Sequence, residues 1–266
     1  MGMESALEEI EFLALSSNRV EVLRLLSEGR HRRGSLAEET EASQATLGRI
    51  LSDFDERSWI RREDGQYVAT ATGRLVASGF TDLLEIVETE RELRDIVRYL
   101  PTHAMDFDLR RLADATITVP SQTRPDAPLQ RVLDLVRDAD DVRIFSHAFN
   151  EQSLSLVHRR AASGDQSFRG VFSRSAIDAL AEDDELRDGL AALLGTDRAA
   201  VRVKEEGIPL AVTVADDVVH VLLRDENGVL QASVDTDDDA VRAWAKDTCD
   251  HYWRTATPLE RDELTE

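Results

Sequence analysis

The chain has 266 residues, 42% of them hydrophobic, enough for two ordinary domains with a core each, which excludes a disordered protein. It carries 53 Asp and Glu against 32 Lys and Arg, a formal net charge of −21. No apolar run approaches the ~18 residues of a membrane span, and the single cysteine, Cys249, rules out an internal disulfide or a multi-cysteine metal site.

The acid is spread over the whole chain, as at Asp138–Asp141, Glu182–Glu185 and Asp235–Asp239, and only Lys204 and Lys246 are lysine. A dense carboxylate surface suits molar salt, where self-repulsion is screened over a few ångströms. The N-terminal third is the least acidic: residues 1–80 hold 10 arginines and 14 carboxylates. Its arginines cluster as Arg30, Arg32, Arg33 and then Arg57, Arg61, Arg62, a pattern that points to a polyanion partner. The first residues lack the basic start and apolar block of a signal peptide, so a cytoplasmic protein, without a membrane partner, is expected.

Residues 5–28 keep helical apolar spacing across a Ser16-Ser17-Asn18 break, which predicts two helices, the second capped by that break and stopped by Gly29. Arg30–Gly34 reads as a basic loop. Ser35-Leu36-Ala37-Glu38 matches a capping box and predicts a short helix starting at Ser35. Ser43 caps a longer helix to about Arg57, with Leu47, Ile50, Leu51 and Phe54 in one stripe. Asp64-Gly65 between two short runs predicts a hairpin. A helix starting at Thr70 carries Leu75, Val76 and Phe80, and a separate amphipathic helix is predicted over 81–100, ended by Pro101. Residues 101–128 are irregular, with one short strand candidate at Thr116–Val119. From 129 on, helices at 129–137, 154–162, 175–194 and 237–255 alternate with strands at 142–145, 168–172, 200–203, 210–214, 218–223 and 229–234. A βαβαβ start with an antiparallel finish is a mixed sheet. The chain is therefore expected to be a two-domain α/β protein: residues 1–80 a winged helix-turn-helix, 81–128 a linker helix and connector, 129–266 an α/β effector and dimerisation domain.

Helix, short helix, turn, longer helix and hairpin is the order of a winged helix-turn-helix. In that motif the exposed face of the longer helix enters the major groove of double-stranded DNA. Here that face carries Gln44, Ala45, Thr46, Gly48, Arg49 and Ser52. Arg49 suits guanine edges and Gln44 adenine edges, while Gly48 and Ala45 permit close approach. Arg32 and Arg33 ahead of the short helix, and Arg61 and Arg62 at the hairpin, are placed for phosphates or a minor groove. A small helical domain used for protein contacts is the alternative.

Ser35–Thr40, Ser43–Leu51, Trp59-Ile60 and Asp64–Tyr67 make residues 15–80 resemble archaeal and bacterial winged-helix regulators. Phe107–Ala115, Thr118-Val119-Pro120, Ser146-His147-Ala148 and Gly207–Leu210 resemble the effector region of the methanogenesis-regulator type. With its salt-adapted composition the chain is similar to haloarchaeal regulators of this build. The resemblance implies a sensor or oligomerisation role with no chemistry.

No H-E-x-x-H, G-x-S-x-G or glycine-rich phosphate loop occurs. Related effector regions resemble the phospholipase D fold, whose catalysis uses a His-x-Lys pair. Here His220 is followed by Val221-Leu222, so no enzyme, metal or cofactor is expected. In open α/β sheets ligands bind beyond the carboxyl ends of parallel strands. Those ends are Ser146, His147 and Asn150, then Ser173 and Arg174, then Glu205, the candidate positions for a small-molecule effector. A homodimer is expected, from the apolar flanks of 81–100 and the usual two-fold operator. The alternative is a C-terminal domain that serves assembly or partner docking only.

Overall fold

The computed structural model describes residues 2–148, 151–205 and 207–264. They form two compact units, residues 1–88 and 89–266.

In the first unit α1 (Met3–Ala14) and α2 (Ser17–Glu28) meet at Ser16, whose hydroxyl caps α2 by accepting the Arg19 N–H; Gly29 ends α2. The short helix α3 spans Arg33–Thr40 and α4 spans Gln44–Glu56. Glu41, between them, takes a left-handed conformation at φ 52°. Strands β1 (Ile60–Glu63) and β2 (Gln66–Ala69) pair antiparallel around Asp64 and Gly65, both at positive φ as a type I′ turn requires. Leu47, Ile50, Leu51 and Phe54 of α4 are all buried, with Leu23, Leu26, Leu36 and Trp59.

Two sequence expectations fail here. The Ser35 capping box does not form: α3 starts at Arg33, Arg32 holds the N-cap position, and the Ser35 hydroxyl donates to the Arg32 carbonyl instead. The cause lies upstream. His31 pairs with Tyr67 through two main-chain bonds of 2.8 and 3.0 Å, which fixes the chain as extended up to Arg32 and lets the helix begin at once. Second, the helices expected at 70–80 and 81–100 are one helix, α5 (Ala71–Leu93, 23 residues). Gly79 is the sole breaker near the expected gap, and a lone glycine costs only ~1 kcal/mol in a helix. The helix ends before Pro101 because Leu93, Ile96 and Leu100 turn into a buried cluster of the second unit.

The second unit is built on an eight-stranded mixed sheet. Its strands are β3 (Thr116–Thr118), β4 (Asp141–Ser146), β5 (Ser167–Ser173), β6 (Ala199–Lys204), β7 (Ala211–Ala215), β8 (Val218–Arg224), β9 (Leu230–Thr236) and β10 (Thr257–Pro258). The spatial order is β10-β6-β5-β4-β7-β8-β9-β3, with β4, β5 and β6 parallel and every other pairing antiparallel. Helices α6 (Ala127–Asp138), α7 (Glu151–Ala162), α8 (Arg174–Ala181) and α9 (Asp184–Leu194) cover one face, burying Val142, Phe168, Phe172 and Val201. The other face packs Phe145, Val171, Val212 and Val221 against α10 (Asp239–Thr255) and residues 93–112. The stretch expected as a connector is thus part of this unit. Leu112 is buried, Phe107 stacks edge-on against Trp244, and Trp244 Nε1 donates to the Ala104 carbonyl over 3.2 Å. Cys249 is buried and its thiol is pushed up to about 12, an inert group.

Candidate nucleic-acid interface and ligand site

Ser43 starts α4 by accepting the Thr46 N–H at 3.1 Å, and the two hydroxyls lie 2.9 Å apart. With the apolar stripe buried, Gln44, Ala45, Thr46, Arg49 and Ser52 are exposed on the opposite face and Gly48 is half-buried. Among the described residues neither Arg49 nor Arg32 has a side-chain partner. They differ in this from Arg19, Arg24, Arg30, Arg57 and Arg61, each of which meets a carboxylate.

Gly48 also makes room for a contact inside the unit. The guanidinium of Arg33 lies over it and donates to the Gln44 carbonyl, strapping the start of α3 to the start of α4. Part of Arg33 is therefore spent inside the unit, although the side chain stays exposed and its other N–H groups remain. Arg57 is also internal: it pairs with Glu9 at 2.7 Å and stacks on the Phe12 ring. On the hairpin, Glu63 ties Arg30 (2.7 Å) and Arg61 (2.6 Å), while Arg62 lies over the Tyr67 ring and meets no carboxylate. Among the described residues the face thus presents Arg32, Arg49 and Arg62 as cations without an acidic partner, with Arg33 partly committed and Arg61 sharing Glu63 with Arg30.

In the second unit the predicted effector residues separate into two places. Ser146 ends β4 and is buried; its hydroxyl bonds both the N–H and the carbonyl of Ala148. His147 follows, half-buried, with its pKa lowered by burial and by the Arg224 charge, against the opposing pull of the Leu210 carbonyl. Ser173 caps α8, and Arg174 pairs with Glu205 at 2.8 Å, so these residues satisfy one another at the ends of β5 and β6. Asn150 lies outside the described residues.

A cavity of about 60 Å³ lies between α6, α7 and the sheet. Ser146 lines it, as do Thr213 of β7 and Arg224 of β8, which the sequence reading missed. The available signal was a polar residue at an inward position of a Val- and Leu-rich strand. The same signal marks His220 and Asp235. They pair across β8 and β9 and are both buried, with Arg131 of α6 holding the Asp235 carboxylate through bonds of 2.6 to 3.2 Å. Among the described residues no group of three or more His, Cys, Asp or Glu could hold a metal ion, and no helix is long and apolar enough to cross a membrane.

Residues 125–255 match the family described as the methanogenesis regulatory protein FilR1, middle domain, and residues 7–92 match the HVO_A0261 N-terminal domain. No curated protein matches the chain. Among solved structures, TrmBL2, an archaeal chromatin protein, is 13% identical, covering 87% of this chain and 89% of its own, with a TM-score of 0.42. NucT from Helicobacter pylori is 13% identical over 55% of this chain and 98% of its own, with a TM-score of 0.44. Nuc from Salmonella typhimurium, a phospholipase D family member, is 11% identical over 55% and 99%, also at 0.44. Taken together, the two domain matches cover most of the chain, which is similar to transcriptional regulators in carrying a FilR1-type middle domain behind an HVO_A0261-type N-terminal domain.

Proposed function

We propose that the chain is a sequence-specific DNA-binding regulator, with residues 1–80 as a winged helix-turn-helix and a ligand-responsive second unit, acting as a homodimer. The observation that carries this reading is Arg49: exposed, without a partner, and on the face of α4 opposite a fully buried stripe. A guanidinium left unpaired in so acidic a chain suits the bidentate contact that arginine makes to guanine. Arg32 and Arg62 flank it as phosphate contacts, with Arg33 and Arg61 in reach of the same backbone. Gln44, Ala45, Thr46, Gly48 and Ser52 complete the reading face. Support for self-association comes from α5, where Leu83, Leu84, Ile86 and Val87 are each about 40% exposed on one helix. Ser146 lines the cavity that would take the effector and His147 follows it in the chain; Ser173, Arg174 and Glu205, which are not among the lining residues, hold a lesser claim.

The test is to crosslink the protein in cells, sequence the recovered DNA, and titrate the protein against the recovered site and a scrambled duplex. The reading requires the recovered site to bind at least about a thousandfold more tightly. Equal affinity for both would leave a non-specific polyanion binder.

A further inference from the structure

The cavity beneath α6 and α7 is apolar on nearly every side. Leu129, Val132, Val136, Leu154, Val157 and Leu193 form its helical wall. Its room comes in part from Gly170, where a side chain would collide with the rings of Phe168 and Phe172 that line the floor. Polar groups among the lining residues are few: Ser146, Ser153, Thr213 and Arg224.

Arg224 is the anomaly. One guanidinium nitrogen donates to the Gly228 carbonyl at 2.8 Å, but Nε is buried and bonds nothing. Among the described residues it has no ion-pair partner, in a chain holding 53 Asp and Glu. The Nδ1 of nearby His147 is likewise buried without a bond. A buried N–H without a hydrogen-bond partner is costly, and that of Arg224 belongs to a charged group at the rim of an apolar hole.

We propose that this cavity binds a short-chain aliphatic monocarboxylate, its hydrocarbon tail in the apolar volume and its carboxylate at Arg224. Size sets the chain length. About 60 Å³ of cavity, against the roughly 10–15 Å³ that one water needs on the same measure, gives room for a short tail of a few carbons. A sugar is excluded by the apolar wall, which leaves its hydroxyls without partners. The binding claim stands on the cavity alone; its regulatory meaning rests on the ligand-responsive reading above.

The experiment is calorimetric titration of the full chain, at constant KCl, with sodium butyrate, butyramide and inorganic phosphate. Butyrate should bind one per chain, and butyramide, the same shape without charge, at least about tenfold more weakly, the share of one charge-assisted hydrogen bond. Arg224→Met should lose a similar factor. Ala211→Leu, which fills the cavity, should abolish binding while circular dichroism shows the fold retained. Equal binding of butyramide, preference for phosphate, unimpaired binding by Ala211→Leu or no binding of butyrate would each overturn the proposal. If Arg224→Met fails to fold, the butyrate-to-butyramide ratio on the unaltered chain decides. DNA affinity measured on the same sample separates the two readings. Butyrate binding with DNA affinity unchanged keeps the site and removes its regulatory role. DNA binding without butyrate binding removes the site and leaves the DNA reading intact.

Discussion

The guanidinium of Arg33 occupies the space that a side chain on Gly48 would need: its Nη2 lies 2.8 Å from where a Cβ would stand. Gly73 meets a different obstacle. A Cβ there would lie 1.9 Å from the main-chain oxygen of Trp59, which also accepts the Thr70 N–H at 2.8 Å. A side-chain tip can swing aside, whereas a hydrogen-bonded carbonyl cannot. Gly48→Ala should therefore change stability by less than about 1 kcal/mol, the helix gain offsetting the lost Arg33 bond. Gly73→Ala should cost about 2 kcal/mol or more from overpacking. Urea denaturation of both variants checks this; equal losses would mean that α5 shifts freely over Trp59.

Arg49→Ala should weaken binding to the cognate site by about 1–3 kcal/mol and leave random duplexes nearly untouched, because it reads a base. Arg62→Ala should weaken both alike, because a phosphate carries no sequence. Fluorescence anisotropy on the two duplexes distinguishes them. Parallel losses for both variants would take α4 out of the major groove.

Acid should destabilise the second unit through His220. Burial lowers its pKa to about 4, while Asp235 pulls the other way and Arg131 adds to the lowering; the Pro128 carbonyl also faces the ring. Unfolded, the imidazole titrates near 6.5. Between these values the unfolded chain binds a proton that the folded chain refuses, so stability is complete above about pH 6.5 and falls as pH drops toward 4. The loss assignable to this group is roughly 3 kcal/mol. His220→Leu should flatten that part of the profile, leaving the carboxylate contribution. Chemical denaturation from pH 7 to 4 reads the difference, and identical slopes would show that the ring takes up its proton without unfolding.

Salt should act weakly on DNA binding. Glu63 already offsets one of the two charges of Arg30 and Arg61, so fewer phosphates gain a new cation when the hairpin docks. Exposed Glu38, Glu39, Glu41 and Asp64 near the same surface would take up potassium as the complex forms. Affinity should stay flat or rise from moderate to molar KCl. Anisotropy with circular dichroism at each point tests it; a steep log–log decline in a folded protein would show that the arginines dominate.

Leu84→Glu on α5 should convert the proposed dimer to a monomer without unfolding it. Sedimentation equilibrium at micromolar concentration reads the mass. A monomer in the unaltered protein would remove the homodimer from the proposal.

Much of the first unit was legible because its signals are local. The stripe Leu47, Ile50, Leu51, Phe54 and the pair Asp64-Gly65 each specify structure within one element. The start of α3 was not, because it depends on His31 meeting Tyr67, a long-range pairing that overrides the nearby capping box. The end of α5 at Leu93 was missed for a related reason: Leu93, Ile96 and Leu100 stop it by burial, which no propensity records. In the second unit alternating strands and helices gave the mixed sheet. The cavity was only half visible because Thr213 and Arg224, which line it with Ser146, stand on β7 and β8, outside the parallel strands whose ends are usually searched for ligands.

The outermost strands of the eight-stranded sheet are stubs. β3 has three residues and runs into Pro120; β10 has two, and Pro258 is one of them. A stub ending in proline offers an incoming chain almost no free amide ladder. Neither margin can template the stacking of chain upon chain that leads to fibrils. A protein whose carboxylates are screened in concentrated salt loses the mutual repulsion that keeps other acidic proteins apart. Blunt sheet margins resist aggregation by geometry, and that protection does not fade as salt rises.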